Sequence, residues 1–144
     1  MATRQAHARW EGGLRDGRGK VDFGRGLFSA PYSFASRFEE GAGTNPEELL
    51  GAAHASCFAM ALSLILSEAG FEPDYIDATA SVTIRPQQDG GFKITRSHLL
   101  CEAGIPRIDA ATFAQHAEKA KANCPVSQAL AGTEITLEAA LRAR

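Results

Sequence analysis

Asn45-Pro46-Glu47-Glu48-Leu49-Leu50-Gly51-Ala52-Ala53-His54-Ala55-Ser56-Cys57-Phe58-Ala59-Met60-Ala61-Leu62-Ser63-Leu64-Ile65-Leu66-Ser67-Glu68 reads as one long helix around which the rest of the chain is arranged. Asn45 stands at an N-cap position, where its side chain can accept from a first-turn N–H. Pro46 at N1 gives up a donor that would be orphaned there anyway. Glu48 at N3 is placed to reach back to the N–H of the cap residue, as in a capping box. The helix is expected to stop at Gly70. Its central stretch is apolar on nearly every face, the pattern of a helix buried all round. Small residues (Gly51, Ala52, Ala53, Ala55, Ser56) fill its first half and let another backbone come close.

On the N-terminal side, Gln5–Trp10 alternates apolar and polar residues as a half-exposed strand does. Glycines then punctuate short β segments such as Val21–Phe23, so Ala2–Phe38 reads as a meander of hairpins closed by the turn Gly41-Ala42-Gly43. On the C-terminal side, Tyr75–Arg85 and Phe92–Ala103 flank the turn Gln87-Gln88-Asp89-Gly90-Gly91. Asp109 caps a second helix, Ala110–Ala122, with Phe113, Ala117 and Ala120 on its apolar face. Pro125 begins a short helical piece, Val126–Ala131, and Thr133–Ala139 is a last alternating strand. Strands, helix, strands, helix, strand is an α+β pattern, expected here as one domain over residues 1–144.

Composition narrows the function classes. The 144 residues are 44% hydrophobic and 22% charged, with a formal net charge of −2. No surplus of positive charge exists to neutralise a phosphate backbone, so nucleic acid is not expected as a partner. The N-terminus has no apolar run and reads as mature chain, not a signal peptide. The longest apolar stretch, Cys57–Leu66, is ten residues interrupted by Ser63, short of the ~20 that span a bilayer. The expectation is a cytoplasmic protein with no membrane partner.

Three cysteines, Cys57, Cys101 and Cys124, suit a reducing compartment more than a disulfide scaffold. No C-x-x-C pair occurs, which argues against a zinc ribbon or a thioredoxin-like site, and no metal or cofactor is expected. What remains is buried packing or one reactive thiol with a distant partner. Cys57 lies mid-helix, where packing is a strong alternative because free cysteine is often buried. Cys124 precedes Pro125 at the start of a helical piece, where free N–H groups and the helix dipole favour a thiolate. Cys101, beside Leu99 and Leu100, reads as packing. His54, three residues before Cys57, can share its helix face. A Cys57–His54 thiol hydrolase is therefore one alternative, though packing is the simpler role for this histidine. A non-catalytic binding dimer whose cysteines merely pack is another.

Helix geometry separates the two glutamates. At about 100° per residue Glu48 points roughly opposite Cys57, whereas Glu47 lies about 80° from it, leaving Glu48 as the capping carboxylate and Glu47 as the freer one. Ten helical residues span ~15 Å. Glu47 could therefore serve a thiolate only through a long arginine or across a subunit interface.

Four motifs together resemble the OsmC/Ohr family of osmotically inducible and organic hydroperoxide resistance proteins, and within it the OsmC branch. They are Arg37-Phe38-Glu39, Gly43-Thr44-Asn45-Pro46-Glu47-Glu48-Leu49, Gly51-Ala52-Ala53-His54-Ala55-Ser56-Cys57-Phe58 and Asn123-Cys124-Pro125-Val126-Ser127-Gln128. The resemblance implies an OsmC-like α+β fold, two chains intertwined as a homodimer, and active sites at the interface. It implies that Cys57 is a peroxidatic and Cys124 a resolving cysteine, with Arg37 as activating cation and Glu47 as the carboxylate that orients it. The implied activity is a two-cysteine peroxidase reducing organic hydroperoxides in oxidative and osmotic stress defence. Its disulfide would be reopened by a dithiol, such as a lipoylated protein. Cys101 is no part of the pattern.

Overall fold

The glycine-punctuated N-terminal stretch forms a meander of three strands, β1 (Ala6–Glu11), β2 (Arg18–Phe23) and β3 (Phe28–Tyr32), paired antiparallel in the order β1-β2-β3. The computed structural model describes residues 1–142, and the chain divides into two units, the first Met1–Leu49 and the second starting at Leu50. In the first unit Gly19 pairs with both Trp10 and Tyr32 in the sheet register. A Cβ at Gly19 would lie 2.5 Å from the Tyr32 ring and 2.7 Å from the Trp10 ring. Glycine there is what lets the two aromatic rings approach to 5.4 Å between centroids.

The meander ends earlier than Phe38, because Phe34–Phe38 is a short helix, α1. Ser33 and Ser36 exchange bonds reciprocally: the Ser33 hydroxyl accepts from the Ser36 N–H at 3.1 Å, and the Ser36 hydroxyl accepts from the Ser33 N–H at 2.8 Å. This serine capping box, with Phe34 and Phe38 in ring contact one turn apart, overrides the strand reading. Two further bonds tie α1 to the next helix start. The Ser36 hydroxyl donates to the Thr44 carbonyl at 2.6 Å, and the Asn45 amide donates to the Ser36 carbonyl at 2.9 Å.

The long helix, α2, runs Pro46–Glu68, and Gly70 follows it in the left-handed region at φ 89°. The Asn45 side chain accepts from the Glu48 N–H at 2.8 Å, as the cap reading expected. Glu48 does not complete the box. Its carboxylate accepts instead from the hydroxyl of Thr44, the residue before the cap, at 3.0 Å.

In the second unit, β4 (Tyr75–Pro86) and β5 (Phe92–Gly104) form an antiparallel hairpin, and β6 (Glu134–Leu141) joins the other side of β5 in parallel. A parallel neighbour needs a crossover. Here it is made by α3 (Ala110–Asn123) and α4 (Pro125–Ala129). Asp109 caps α3 by accepting from the Thr112 N–H at 2.8 Å, and Phe113, Ala117 and Ala120 are its buried face. Alternate residues of β5 (Ser97, Leu99, Cys101, Ala103) are fully buried, as one face of a strand should be. Phe58, Leu62 and Leu66 of α2 share their core with Phe113 and Cys124.

Within one chain the expectation that α2 is buried all round is met along one stripe only. Gly51, His54, Phe58, Leu62 and Leu66 recur every three or four residues and are buried. A Cβ at Gly51 would meet the Ala80 carbonyl at 3.2 Å, so this small residue lets α2 close on β4. The opposite face is apolar and open, with Met60 76% and Leu64 59% exposed. At 23 residues α2 is also long and apolar enough by composition to cross a membrane, unlike the ten-residue run counted in the sequence. Core helices of water-soluble proteins pass the same test.

Candidate active site

The helix that carries Cys57 and the crossover that carries Cys124 bring these two residues together, although they are far apart in sequence. Cys57 sits beside the buried stripe of α2 and is partly exposed. Cys124 is fully buried and ends one helix while starting the next. The proline after it disfavours a helical backbone at Cys124, which adopts φ −62° and ψ 140° and breaks α3 from α4. Its N–H donates to the Ala120 carbonyl at 3.0 Å, and its sulfur accepts from the Ser127 N–H at 3.3 Å as the cap of α4. All three cysteines are free thiols.

Three influences act on Cys57. Burial pushes its thiol above the ordinary value, a hydrogen bond from the Val126 N–H pulls it down, and the adjacent Cys124 thiol raises it through a hydrogen bond and charge coupling. Cys101 is different. Burial, then the charges of Asp77 and Glu102, push it up to about 11, which keeps it protonated and unreactive at neutral pH. The packing role expected of Cys101 matches its place in the core.

His54 does not bond Cys57. Its Nδ1 lies 2.7 Å from the Ser97 hydroxyl and its Nε2 lies 2.8 Å from the Ser127 hydroxyl, so both ring nitrogens are engaged. A thiol hydrolase needs one of them on the cysteine. The Ser127 hydroxyl also lies 3.0 Å from Cys124 Sγ, which makes His54, Ser127 and Cys124 one buried polar chain. Sequence reading did not single out Ser97 or Ser127. The available signals were a lone hydroxyl among the inward positions of β5 and a serine three residues past the Cys124 cap.

Burial holds the His54 pKa below its ordinary 6.5. The folded protein therefore keeps His54 neutral while the unfolded chain takes up a proton below about pH 6.5. The contribution is present above that pH and lost as pH falls below it, by at most about 1.4 kcal/mol per pH unit. Urea midpoints measured from pH 7.5 downward should show this loss in the wild type and a shallower one in His54→Gln; identical slopes would remove His54 as the cause.

In the first unit, the last turn of α1 and the first turn of α2 bring Arg37 and Glu47 together. Arg37 Nε donates to Glu47 Oε1 and Nη2 to Oε2, both at 3.0 Å. This is the bidentate fork that suits a guanidinium to a carboxylate. The Glu47 side chain is 9% exposed and that of Arg37 35%, so the carboxylate is enclosed and the cation keeps an open side. The Arg37 guanidinium also lies over the Phe38 ring, 5.3 Å from its centroid.

Comparison with known proteins is consistent across sequence and structure. A family profile described as OsmC-like protein matches residues 39–139. The peroxiredoxin OsmC of Escherichia coli strain K12 is 51% identical over 140 residues, covering 96% of each chain. The organic hydroperoxide resistance protein OhrB of Bacillus subtilis strain 168 is 34% identical over 98 residues, covering 67% of this chain and 69% of that one. The crystal structure of Bacillus subtilis OhrB superposes with a TM-score of 0.71 at 26% identity, covering 96% of this chain and 98% of the other. An OsmC-like protein from Mycoplasma pneumoniae shares the fold at a TM-score of 0.76 and 15% identity, covering 99% of both.

Proposed function

The chain belongs to the OsmC-like protein family, and from that membership we propose that it reduces organic hydroperoxides to alcohols, Cys57 attacking and Cys124 resolving. One observation carries the pairing: the Cys57 and Cys124 thiols, one on the long helix and one on the crossover, are hydrogen-bonded neighbours. The names of the relatives, a peroxiredoxin and organic hydroperoxide resistance proteins, support the substrate class and a role in stress defence.

In this reading the Cys57 thiolate attacks one peroxide oxygen and the O–O bond breaks. The alcohol leaves after taking a proton, and the other oxygen stays on sulfur as a sulfenic acid. Cys124 then attacks the Cys57 sulfur, water leaves and a disulfide forms. An external dithiol, such as that of a lipoylated protein, reopens it by exchange and is itself oxidised. Arg37, clamped by Glu47, is the cation that favours the thiolate and stabilises charge on the departing oxygen. Cys57 lies against the hydrophobic core, and such apolar surroundings favour an alkyl hydroperoxide over hydrogen peroxide.

The working unit in this proposal is a homodimer. Met60 and Leu64 project from α2 into solvent in the single chain, and a second copy is the partner that would cover them. Light scattering on a sizing column should give twice the chain mass for the wild type, and Leu64→Glu should shift it to the monomer. A monomeric wild type would refute the dimer.

The function itself is tested by peptide mass spectrometry after one equivalent of cumene hydroperoxide is added to the reduced protein. A Cys57–Cys124 cross-link is expected, with Cys57 trapped as the sulfenic acid in Cys124→Ser. Unmodified thiols would leave no basis for a peroxidase.

A further inference from the structure

We infer that His54 and Ser127 form a relay that takes the proton from Cys124 as it resolves the Cys57 sulfenic acid. The inference rests on the two-cysteine reading above. A resolving thiol reacts as its thiolate, so something must take its proton. Cys124 is fully buried, which puts bulk water out of direct reach.

The hydrogen bonds around it can be ordered in one direction, from the Cys124 thiol to the imidazole. Cys124 Sγ already accepts from the Ser127 N–H at 3.3 Å, so its own S–H is free to donate to the Ser127 hydroxyl oxygen at 3.0 Å. In that order the hydroxyl donates to His54 Nε2 at 2.8 Å, and the tautomer protonated on Nδ1 donates to the Ser97 hydroxyl oxygen at 2.7 Å. Thiol, hydroxyl, imidazole and hydroxyl thus follow one another with every polarity aligned, and the imidazole is the one base among them. The groups facing His54 are neutral: Ser97 from β5, Ser127 from α4, and the Cys124 thiol beyond it. Burial holds the imidazole unprotonated near neutral pH, with a lone pair to receive a proton. Packing alone would be served by any side chain that fills the space, whereas these contacts lead from the ring to one reacting sulfur.

The step balances. The electron pair of Cys124 Sγ forms the S–S bond while the S–O bond of the Cys57 sulfenic acid breaks, its pair leaving with oxygen. The thiol proton passes to the Ser127 oxygen as the Ser127 proton passes to His54 Nε2, so serine stays neutral throughout. The departing hydroxide takes a proton from solvent, which reaches the partly exposed Cys57, and His54 later returns its proton to solvent. The net change is one sulfenic acid and one thiol converted to one disulfide and one water.

The test separates the two chemical steps. Reduced wild type, Ser127→Ala, Ser127→Thr and His54→Gln are mixed with one equivalent of cumene hydroperoxide between pH 6 and 8.5. Sulfenic acid and disulfide are quantified in acid-quenched samples. In Ser127→Ala the sulfenic acid should form at the wild-type rate, while disulfide formation slows by about 10²-fold near pH 6.5, the scale of general base catalysis. That deficit should shrink by about tenfold per pH unit as hydroxide replaces the relay. Ser127→Thr keeps the hydroxyl and should restore most of the rate, and His54→Gln should behave as Ser127→Ala does. Should His54→Gln not fold, the two Ser127 variants decide. A Ser127→Ala protein with the wild-type pH profile for disulfide formation overturns the relay, as does equal slowing of both steps at every pH. A wild type that forms sulfenic acid but no disulfide overturns the two-cysteine reading instead, and the relay with it.

Discussion

Cys57→Ser is expected to lose hydroperoxide consumption altogether, by on the order of 10³-fold or more, while its fold is preserved. A serine hydroxyl has no accessible anion at neutral pH and sulfur alone forms a stable sulfenic acid, so no residual nucleophile takes over. The neighbouring cysteines do not substitute. Cys124 is fully buried as the cap of α4, and Cys101 is held protonated with a pKa of about 11. The contrast with Cys124→Ser makes the prediction specific, because that variant should consume one peroxide per chain and then stop. A colorimetric peroxide assay over successive equivalents distinguishes the two, and sustained turnover by Cys57→Ser would move the reacting sulfur elsewhere. The wild type should also form sulfenic acid faster as pH rises from 6.5 to 8.5, since burial lifts the Cys57 thiol above its ordinary value and limits the thiolate at neutral pH.

Arg37→Ala carries the second large effect, a fall of about 10²–10³-fold in the rate of sulfenic acid formation, the usual loss when one preorganised donor to a developing anion is removed. Part of the consequence falls on Glu47, which is nearly buried and loses both of its bonds from Arg37. An enclosed carboxylate stripped of its partner costs up to about 3 kcal/mol, reduced here because Arg37 is a third exposed. Arg37→Lys separates the two contributions. It keeps the positive charge beside Glu47 but not the fork, so stability should recover more than rate does. Stopped-flow peroxide kinetics, with circular dichroism to verify folding, reads both. Wild-type kinetics in Arg37→Ala would end the activating role.

Much of the fold was legible because local chemistry and periodicity agreed. Asn45-Pro46 announced the start of α2, Gly70 its end, and Asp109 the start of α3. The apolar face read for α3 is its buried face, and Cys101, read as packing, lies in the core. Helix α1 was missed because its signal is two serines three residues apart inside an aromatic stretch that also suits a strand. The open face of α2 was misjudged for a different reason. Composition reports that a helix is apolar all round but not which neighbour covers each side, and one chain covers only a stripe.

Candidate site residues were legible unevenly. Cys124 stood out from its place before Pro125, which fixes a helix break whatever the fold. The partnership of Arg37 with Glu47 is carried by α1, an element the periodicity did not reveal. No role for Ser97 or Ser127 was legible, because a single buried hydroxyl does not reveal its partner. Only the topology, which sets β5 and the crossover on two sides of His54, gives them a common partner.

That topology bears on how the two redox forms would differ in endurance. Cys57 and Cys124 stand 67 positions apart in sequence, so a bond between them would encircle the whole β4–β5 hairpin and α3. A covalent ring of that size removes unfolded-state freedom worth ~4 kcal/mol in the chain-entropy account. The oxidised molecule should therefore melt later than the reduced one. By the same linkage, the reductant must work against every kilocalorie the ring adds to the folded state, and partial unfolding around the crossover would make its task easier.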